Sequence, residues 1–119
     1  MHELGVTQSI LNVVLEHAQE AKASRVQRIH LVIGDLAGVV GESIQFYFDF
    51  ISRGTLAEGA ELVMRRDPAR FRCPACGYEY EPEDTSATHL LWACPQCGEL
   101  RPEVIGGRML QLESIEVDE

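Results

Sequence analysis

The sequence lacks any long apolar run and any N-terminal export signal. None of its hydrophobic stretches approaches the roughly 20 residues that a membrane-spanning helix requires. The N-terminus has no basic segment followed by an apolar one, so we expect no secretory signal. With 119 residues, 45% of them hydrophobic, the chain suits one small domain, or one domain with a small appendage. We therefore expect a cytoplasmic protein without a membrane partner.

Basic residues are also scarce. Ten lysines and arginines stand against 19 aspartates and glutamates, which gives a formal net charge of −9. Proteins that bind a nucleic-acid backbone generally present a basic face, so this balance argues against a nucleic-acid partner. The acidity is compatible with handling a cation or with binding a basic protein, and equally with plain solubility.

Motifs typical of enzyme active sites are missing as well. The glycine-punctuated segment 34–41 does not end in Gly-Lys-Ser or Gly-Lys-Thr, so it is not a phosphate-binding loop. No Ser/His/Asp set is apparent, and an isolated C-x-x-C pair would need a thioredoxin-like context that this chain lacks. A zinc hydrolase or a thiol oxidoreductase is therefore a poor interpretation, and we expect no enzyme.

All four cysteines lie in two CPxCG segments. Each C-x-x-C pair closes a tight turn that can place two sulfurs on one metal, and two such turns complete a tetrahedron. Glycine after the second cysteine lets the backbone turn back, which points amide N–H groups at the thiolates. We predict a structural zinc held by Cys73, Cys76, Cys94 and Cys97; disulfides or a rubredoxin-like iron are the alternatives. Four thiolates leave no open position for water, so this metal should not catalyse.

Hydrophobic periodicity predicts an α+β fold with two helices on a three-stranded sheet. The predicted elements are a helix at 4–23, a strand at 26–34, a helix at about 43–53, a strand at 60–66 and a strand at 109–117. The cysteine segments come before the last of these strands. We therefore predict a zinc-ribbon-like module at 69–107, inserted into a domain that consists of 1–68 and 108–119.

Several side chains can be assigned an expected degree of burial. The second helix is apolar on more than one side, so its aromatic residues are expected to form core and not a cofactor site. His17 lies at the edge of the apolar stripe of the first helix and is expected to be a core or boundary residue. His30 is expected on the less buried face of the first strand. The alternation of the last strand slips near Ser114, which predicts a bulge or an end to burial there.

The N-terminus, Met1-His2-Glu3, combines a free α-amino group with an imidazole. The amine, the backbone nitrogens of His2 and Glu3 and the His2 ring could close fused chelate rings, and such near-planar nitrogen sets suit Ni(II) or Cu(II). Deprotonation of backbone amides is costly, so any binding should strengthen as the pH rises. From the residues alone, the alternative is a frayed terminus with one exposed histidine.

Several features occur together in this chain: the Met1-His2-Glu3 start, the helix after it, Gly34 with Asp35, Gly59 with Ala60 and Glu61, and the pair of CPxC turns. Together they resemble the HypA/HybF family of hydrogenase maturation factors, over essentially the whole chain. The resemblance implies a nickel metallochaperone with an α+β nickel-binding domain and a cysteine-rich zinc domain inserted before the final strand. It also implies His2 as the essential nickel ligand, Glu3 as its neighbour in the site, and the four cysteines as the zinc ligands.

The resemblance further implies partners and a client. Members of the family work with the GTPase HypB and deliver nickel to the large subunit of [NiFe] hydrogenase, and some also serve urease. We expect the chain to be a monomer or a weak homodimer. The alternative function is a zinc-ribbon module that binds another protein and carries no nickel.

Two positions bear on the remaining nickel ligands. Some members place a carboxylate in the loop before the second helix, where this chain has Val40; Glu42 is then the nearest acidic residue and a weak candidate ligand. Some members carry a histidine five residues before the third zinc cysteine, where this chain has His89. We hypothesise that His89 is an accessory nickel ligand; the alternative is an exposed polar residue on the zinc module.

Overall fold

A computed structural model describes residues 2–81 and 93–119, and only the backbone of His2. Within the described residues the chain forms two compact units. The helical unit comprises Met1–Val32, Val39–Arg65 and Gln111–Glu119, and the cysteine unit comprises Ile33–Gly38 and Arg66–Leu110. The cysteine unit thus includes the loop that follows the first strand. The functional domain boundaries given above stay a prediction.

The described residues form two helices and six strands. In chain order these are α1 (His2–Glu20), β1 (Arg25–Gly34), α2 (Gly41–Ile51), β2 (Glu61–Asp67), β3 (Arg70–Arg72), β4 (Glu79–Tyr80), β5 (Glu103–Gly106) and β6 (Leu110–Asp118). One sheet has the strand order β2-β1-β6 and the other has the order β4-β3-β5, while α1 packs against α2. The predicted α+β class is confirmed. No helix in the described ranges is long and apolar enough to cross a membrane.

The core of the helical unit is built mainly by α1 and β1. Its buried side chains include Ile10, Leu11, Val14 and Ala18 from α1, and Val26, Ile29, Leu31 and Val32 from β1. The α1 residues recur at helical spacing and so share one face. Burial of each large side chain contributes about 1.5–3 kcal/mol to the stability of this core.

The end of α1 is set by hydrogen bonds and not by a glycine. The Ala23 N–H donates to the Ala18 carbonyl at 2.9 Å, and the Lys22 N–H donates to the Gln19 carbonyl at 3.0 Å. These bonds form a Schellman motif, in which the residue after the helix takes a left-handed conformation. Lys22 occupies that position with φ +56°. The helix therefore ends at Glu20, earlier than predicted.

The prediction that the aromatic residues of α2 form core is wrong for two of them. Phe48 is fully buried, but Phe46 is 71% exposed and Phe50 is 64% exposed. Only the face of α2 that carries Ile44 and Phe48 is buried, and Phe46 and Phe50 lie on the opposite face, one helical turn apart. The Arg53 guanidinium lies 5.2 Å from the centre of the Phe50 ring.

The other expectations about burial have mixed outcomes. The expectation for His17 is wrong, because its side chain is 58% exposed and its Nδ1 lies 3.5 Å from Glu20 Oε1. The expectation for His30 is confirmed: the residue is half-buried, with its Nε2 2.6 Å from Glu116 Oε2. The slip in β6 is also confirmed, since its buried alternation changes phase at Ser114 within a continuous strand.

Candidate metal centre

The two CPxCG segments fold as matching turns. In the first, the Gly77 N–H donates to the Cys73 carbonyl at 2.8 Å; in the second, the Gly98 N–H donates to the Cys94 carbonyl at 2.9 Å. Gly77 has φ +78° and Gly98 has φ +79°, a left-handed conformation that glycine adopts without steric cost. Both glycines thus let the backbone turn back after the second cysteine of each segment, as the sequence predicted.

The turns bring the four cysteines together. The sulfur atoms of Cys73, Cys76, Cys94 and Cys97 all lie within 4.8 Å of one another. Cys73 Sγ lies 3.4 Å from Cys97 Sγ, and Cys76 Sγ lies 3.7 Å from Cys94 Sγ. Sulfurs bound tetrahedrally to zinc at about 2.3 Å lie about 3.8 Å apart, so this set fits a four-thiolate zinc site. The separations are too long for disulfide bonds, which span about 2.05 Å.

The electrostatics of the cluster favour a cation. Burial raises the pKa of Cys94, but the Cys97 and Gln96 N–H groups, together with hydrogen bonds from the Cys76 and Cys97 thiols, more than offset this, and the pKa falls to about 7. For Cys97, the Glu99 N–H lowers the pKa, but the neighbouring Cys73 thiol and burial outweigh it and raise the pKa to about 12. Four thiols this close cannot all ionise together without a positive charge among them. A bound divalent metal supplies that charge.

A small sheet and three aromatic residues support the cysteine turns. In this sheet β3 pairs antiparallel with β4 and with β5, and Phe71 lies opposite Tyr80. Phe71 is fully buried, and its ring meets the Tyr80 ring edge-on at 5.7 Å. The Tyr78 and Tyr80 rings stack at 6.1 Å. Burial, together with the nearby thiols, raises the pKa of Tyr80. These aromatic contacts hold together the sheet from which the first cysteine turn extends.

The loop after β1 is tied into the cysteine unit. Asp35 accepts hydrogen bonds from Arg66 Nε at 2.7 Å and Nη2 at 2.6 Å, and from the Ala69 N–H at 3.3 Å. The Arg66 guanidinium lowers the pKa of Asp35. Gly34 and Gly107 meet so closely that a Cβ added to Gly34 would lie 2.3 Å from the Gly107 carbonyl oxygen. Close packing against Gly107 therefore explains the glycine at position 34, and the ion pair with Arg66 explains the aspartate at position 35.

The N-terminal residues lie beside the start of α2. Glu3 Oε2 accepts a hydrogen bond of 3.3 Å from the Val40 N–H, and the Thr7 hydroxyl donates to the Glu3 carbonyl at 2.6 Å. Val40 is the N-cap residue of α2 and its side chain makes no capping bond, so the Glu3 carboxylate serves the helix start instead. Glu42 lies in the first turn of the same helix. Glu3, Val40 and Glu42 are thus brought to one region.

Two of the predicted site residues cannot be placed fully. His2 is the first residue of α1, and its side chain lies outside the described atoms, as does Met1. His89 lies in 82–92, outside the described residues. Sequence reasoning missed the roles of Thr7, which is buried and bonded to Glu3, and of the tyrosine pair beside the cysteines. The only sequence signal for Thr7 is its i+4 spacing from Glu3 on a helix.

Comparison with known proteins decides the family. The sequence model of hydrogenase/urease nickel incorporation metallochaperones, HypA, matches residues 1–117. The chain belongs to the HypA family. The hydrogenase maturation factor HypA of Dehalococcoides mccartyi strain 195 is 45% identical over 119 residues, which cover 100% of this chain and 96% of that protein. HypA of Caldanaerobacter subterraneus is 39% identical over 99% of this chain and 100% of its own.

Solved HypA structures share the fold. The solution structure of the Ni metallochaperone HypA from Helicobacter pylori matches with a TM-score of 0.66, at 19% identity, over 98% of this chain and 97% of that one. A second HypA solution structure matches with a TM-score of 0.72 at 21% identity, over 98% of this chain and 96% of that one. The resemblance to this family that the sequence alone indicated is confirmed.

Proposed function

We propose that this member of the HypA family binds Ni(II) at its N-terminus and helps to deliver it to the large subunit of [NiFe] hydrogenase during maturation. Urease is a second client within the proposal. The observation that carries it is the match to a nickel-incorporation family over residues 1–117, together with 45% identity to a hydrogenase maturation factor. The proposed protein turns over no substrate of its own: it is a carrier and not an enzyme.

The proposed nickel ligands are the His2 ring and the main-chain nitrogens of Met1, His2 and Glu3. A delivery protein needs its ion on accessible ligands that a partner can displace, and a chelate at a chain terminus meets that need. The contact between Glu3 and the Val40 N–H supports the proposal, because it holds the start of α1 beside the start of α2. Glu42, in the first turn of α2, is the weaker candidate and His89 an accessory one.

The proposed resident metal is zinc, held by Cys73, Cys76, Cys94 and Cys97. The sulfur separations and the need for a positive charge among the thiols support this assignment. Four thiolates fill all the coordination positions of a tetrahedral zinc ion. The proposed zinc therefore stabilises the fold of the cysteine unit, and none of its four cysteines is available to bind nickel. In domain terms, the proposal gives nickel to 1–68 plus 108–119 and zinc to 69–107.

The proposed partner for transfer is a HypB-type GTPase. It would approach α1 and the N-terminus, so that its own ligands replace the nitrogens one at a time. The net charge of −9 supports a protein partner and no nucleic-acid partner. The proposed location is the cytoplasm, and the proposed state is a monomer or a weak homodimer.

Calorimetric titration with Ni(II) tests the proposal on untagged, zinc-loaded protein. Wild type is expected to bind about one nickel per chain, and His2→Ala is expected to lose that binding while keeping its zinc. His17→Ala is the matched control, because it removes an exposed imidazole from the same helix. If the His2 and His17 variants bind nickel alike, the N-terminus is not the site. The zinc-ribbon interaction module without nickel then becomes the better account.

Variants of the neighbouring residues separate ligation from positioning. Glu3→Gln keeps an oxygen that can accept from the Val40 N–H, whereas Glu3→Ala removes it. If the Glu3 carboxylate binds nickel, both variants weaken binding; if it only positions the loop, Glu3→Gln binds as wild type does. His89→Ala and Glu42→Gln are titrated alongside. An unchanged affinity and an unchanged nickel absorption spectrum would remove either residue from the ligand set.

A further inference from the structure

The outer face of α2 presents apolar and charged residues in a fixed order. Going along the helix, this face carries Glu42, Phe46, Phe50 and, two residues after the helix ends, Arg53. With 100° between successive residues, these four positions fall within about 80° of arc. Phe46 and Phe50 are both more than 60% exposed. Two exposed phenylalanines one turn apart make a continuous apolar strip, which is uncommon on a surface that contacts only water.

A charge of opposite sign flanks each end of the strip. Glu42 lies at the N-terminal end and Arg53 at the C-terminal end, separated by about 16 Å along the axis. In the part of the chain that the structure describes, neither side chain forms an ion pair; Arg53 only covers the Phe50 ring at 5.2 Å. The face therefore has an acidic end, an aromatic middle and a basic end.

A face with one acidic and one basic end is complementary to a second copy of itself that runs in the opposite direction. If two copies of α2 pack antiparallel, with the two-fold axis between residues 47 and 48, Glu42 of each copy lies opposite Arg53 of the other. In this arrangement position 46 of each copy lies opposite position 49 of the other. Phe46 is therefore next to Phe50 of the other copy, and the rings can interdigitate. A two-fold interface of this kind uses the same patch on both copies. Helices packed this way lie about 8–10 Å apart, a distance at which phenylalanine rings fill the gap.

We propose that this face is a homodimer interface, formed by antiparallel α2–α2 packing of two copies of this chain. The pairing gives the expected homodimer a specific surface, and it does not depend on nickel. A helix of 11 residues buries much less than the roughly 1,200 Å² of a stable interface. The dimer is therefore weak, with a dissociation constant above about 1 µM, the weak end of the range for interfaces of standard size. Both chains are acidic, which opposes association and makes the two Glu42–Arg53 pairs decisive for orientation.

Sedimentation equilibrium of the untagged, zinc-loaded chain without nickel tests the proposal, between about 10 µM and 1 mM at about 0.15 M salt. Wild type is expected to show a reversible monomer–dimer equilibrium. Phe46→Ser with Phe50→Ser is expected to weaken it at least tenfold. Met109→Ser is the matched control, since Met109 is 61% exposed elsewhere on the chain and its loss should change nothing.

Charge reversal tests the antiparallel geometry directly. Glu42→Arg alone places two cations opposite each other at both ends of the interface, and Arg53→Glu alone places two anions there, so each variant should stay monomeric. An equimolar mixture of these two variants makes both pairs attractive and should restore a dimer with one chain of each kind. Glu16→Arg makes the same change of charge on an exposed site of α1 and should not rescue Arg53→Glu.

The outcomes show whether the outer face of α2 binds a second copy of this chain or a different protein. Dimerisation of the mixture, but of neither variant alone, supports the antiparallel pair. A wild-type mass that stays monomeric up to 1 mM, or a mixture that stays monomeric, overturns it and leaves the face to another protein. All six substituted positions are exposed, so thermal unfolding of each variant should match wild type, and this confirms that a lost dimer is not a lost fold. Nickel titration of the variant with Phe46→Ser and Phe50→Ser reports separately on the proposed carrier function, because neither position is a proposed nickel ligand.

Discussion

Removal of the metal should unfold the cysteine unit and leave the helical unit folded. Among the described residues of the cysteine unit, the buried side chains are Ala69, Phe71, Cys73 and Cys94. Phe71 is the one large hydrocarbon among them, and its burial contributes about 2–3 kcal/mol. Ordering the backbone of the ten residues in the two CPxCG turns alone costs about 10 kcal/mol. Binding of structural zinc to such sites contributes about 10–16 kcal/mol, so the metal decides whether this unit folds.

Hydrogen exchange measures the effect residue by residue. In the zinc-loaded protein, the amides of Gly77 and Gly98 are expected to be protected, because they donate to Cys73 and Cys94 at 2.8 and 2.9 Å. After chelation under reducing conditions, these amides should exchange as in an unfolded peptide. The Val26 amide, which donates to the Leu56 carbonyl at 2.9 Å in the helical unit, is the internal control and should stay protected. Protected turn amides in the metal-free, reduced protein would show that packing alone suffices, and the reasoning above would be wrong.

Three further changes test the packing that positions the site. Phe48→Ala should lower the free energy of unfolding by about 3–5 kcal/mol because its ring is fully buried, whereas Phe50→Ala on the exposed face should change it by less than about 0.5 kcal/mol in urea melts at low protein concentration. Asp35→Asn should cost about 1 kcal/mol at pH 6 by weakening the carboxylate's bonds, including the one from the Ala69 N–H. The Arg66 guanidinium lowers the pKa of Asp35 in the folded state, so its contribution is present above the ordinary pKa of aspartate and is lost as the pH falls through the folded-state pKa. The difference in stability between wild type and Asp35→Asn should therefore close in melts at progressively lower pH, and a difference that stays constant with pH would rule out this ion pair as its cause. Gly107→Ala should cost at least about 2 kcal/mol, because φ is +79° and its Cβ would lie 2.6 Å from the Ala69 Cα; a thermal midpoint equal to wild type would contradict this.

The features that the sequence predicted well are those determined by short spacing. The four-cysteine cluster follows from two C-x-x-C turns, each fixed by a glycine, and the structure brings the four sulfurs together. The main helices and strands follow from periodicity over seven or more residues, as in α1 and β2. The strands β3, β4 and β5 have four residues or fewer, too short for any pattern to emerge, and they were not predicted.

Other features depend on contacts between distant residues. The Glu3–Val40 bond joins positions 37 apart, and nothing local to either residue indicates it. The end of α1 was misplaced because Lys22, and not glycine, takes the left-handed position. Phe46 and Phe50 were expected in the core because both are strongly hydrophobic, yet both are exposed. The hydrophobicity of a residue does not indicate which face of its helix packs against the rest of the protein.

The position of β6 in the chain has a consequence for how the protein is made. This strand pairs with β1 in the middle of the sheet, and the Ser24 N–H donates to the Asp118 carbonyl across 94 positions of sequence. During synthesis, β1 and both helices leave the ribosome long before their last sheet neighbour exists. The cysteine turns emerge earlier than β6, and thiolates can take up metal as soon as both turns are exposed. The sheet β2-β1-β6 is thus completed last, after both cysteine turns have left the ribosome and could already have folded around a metal.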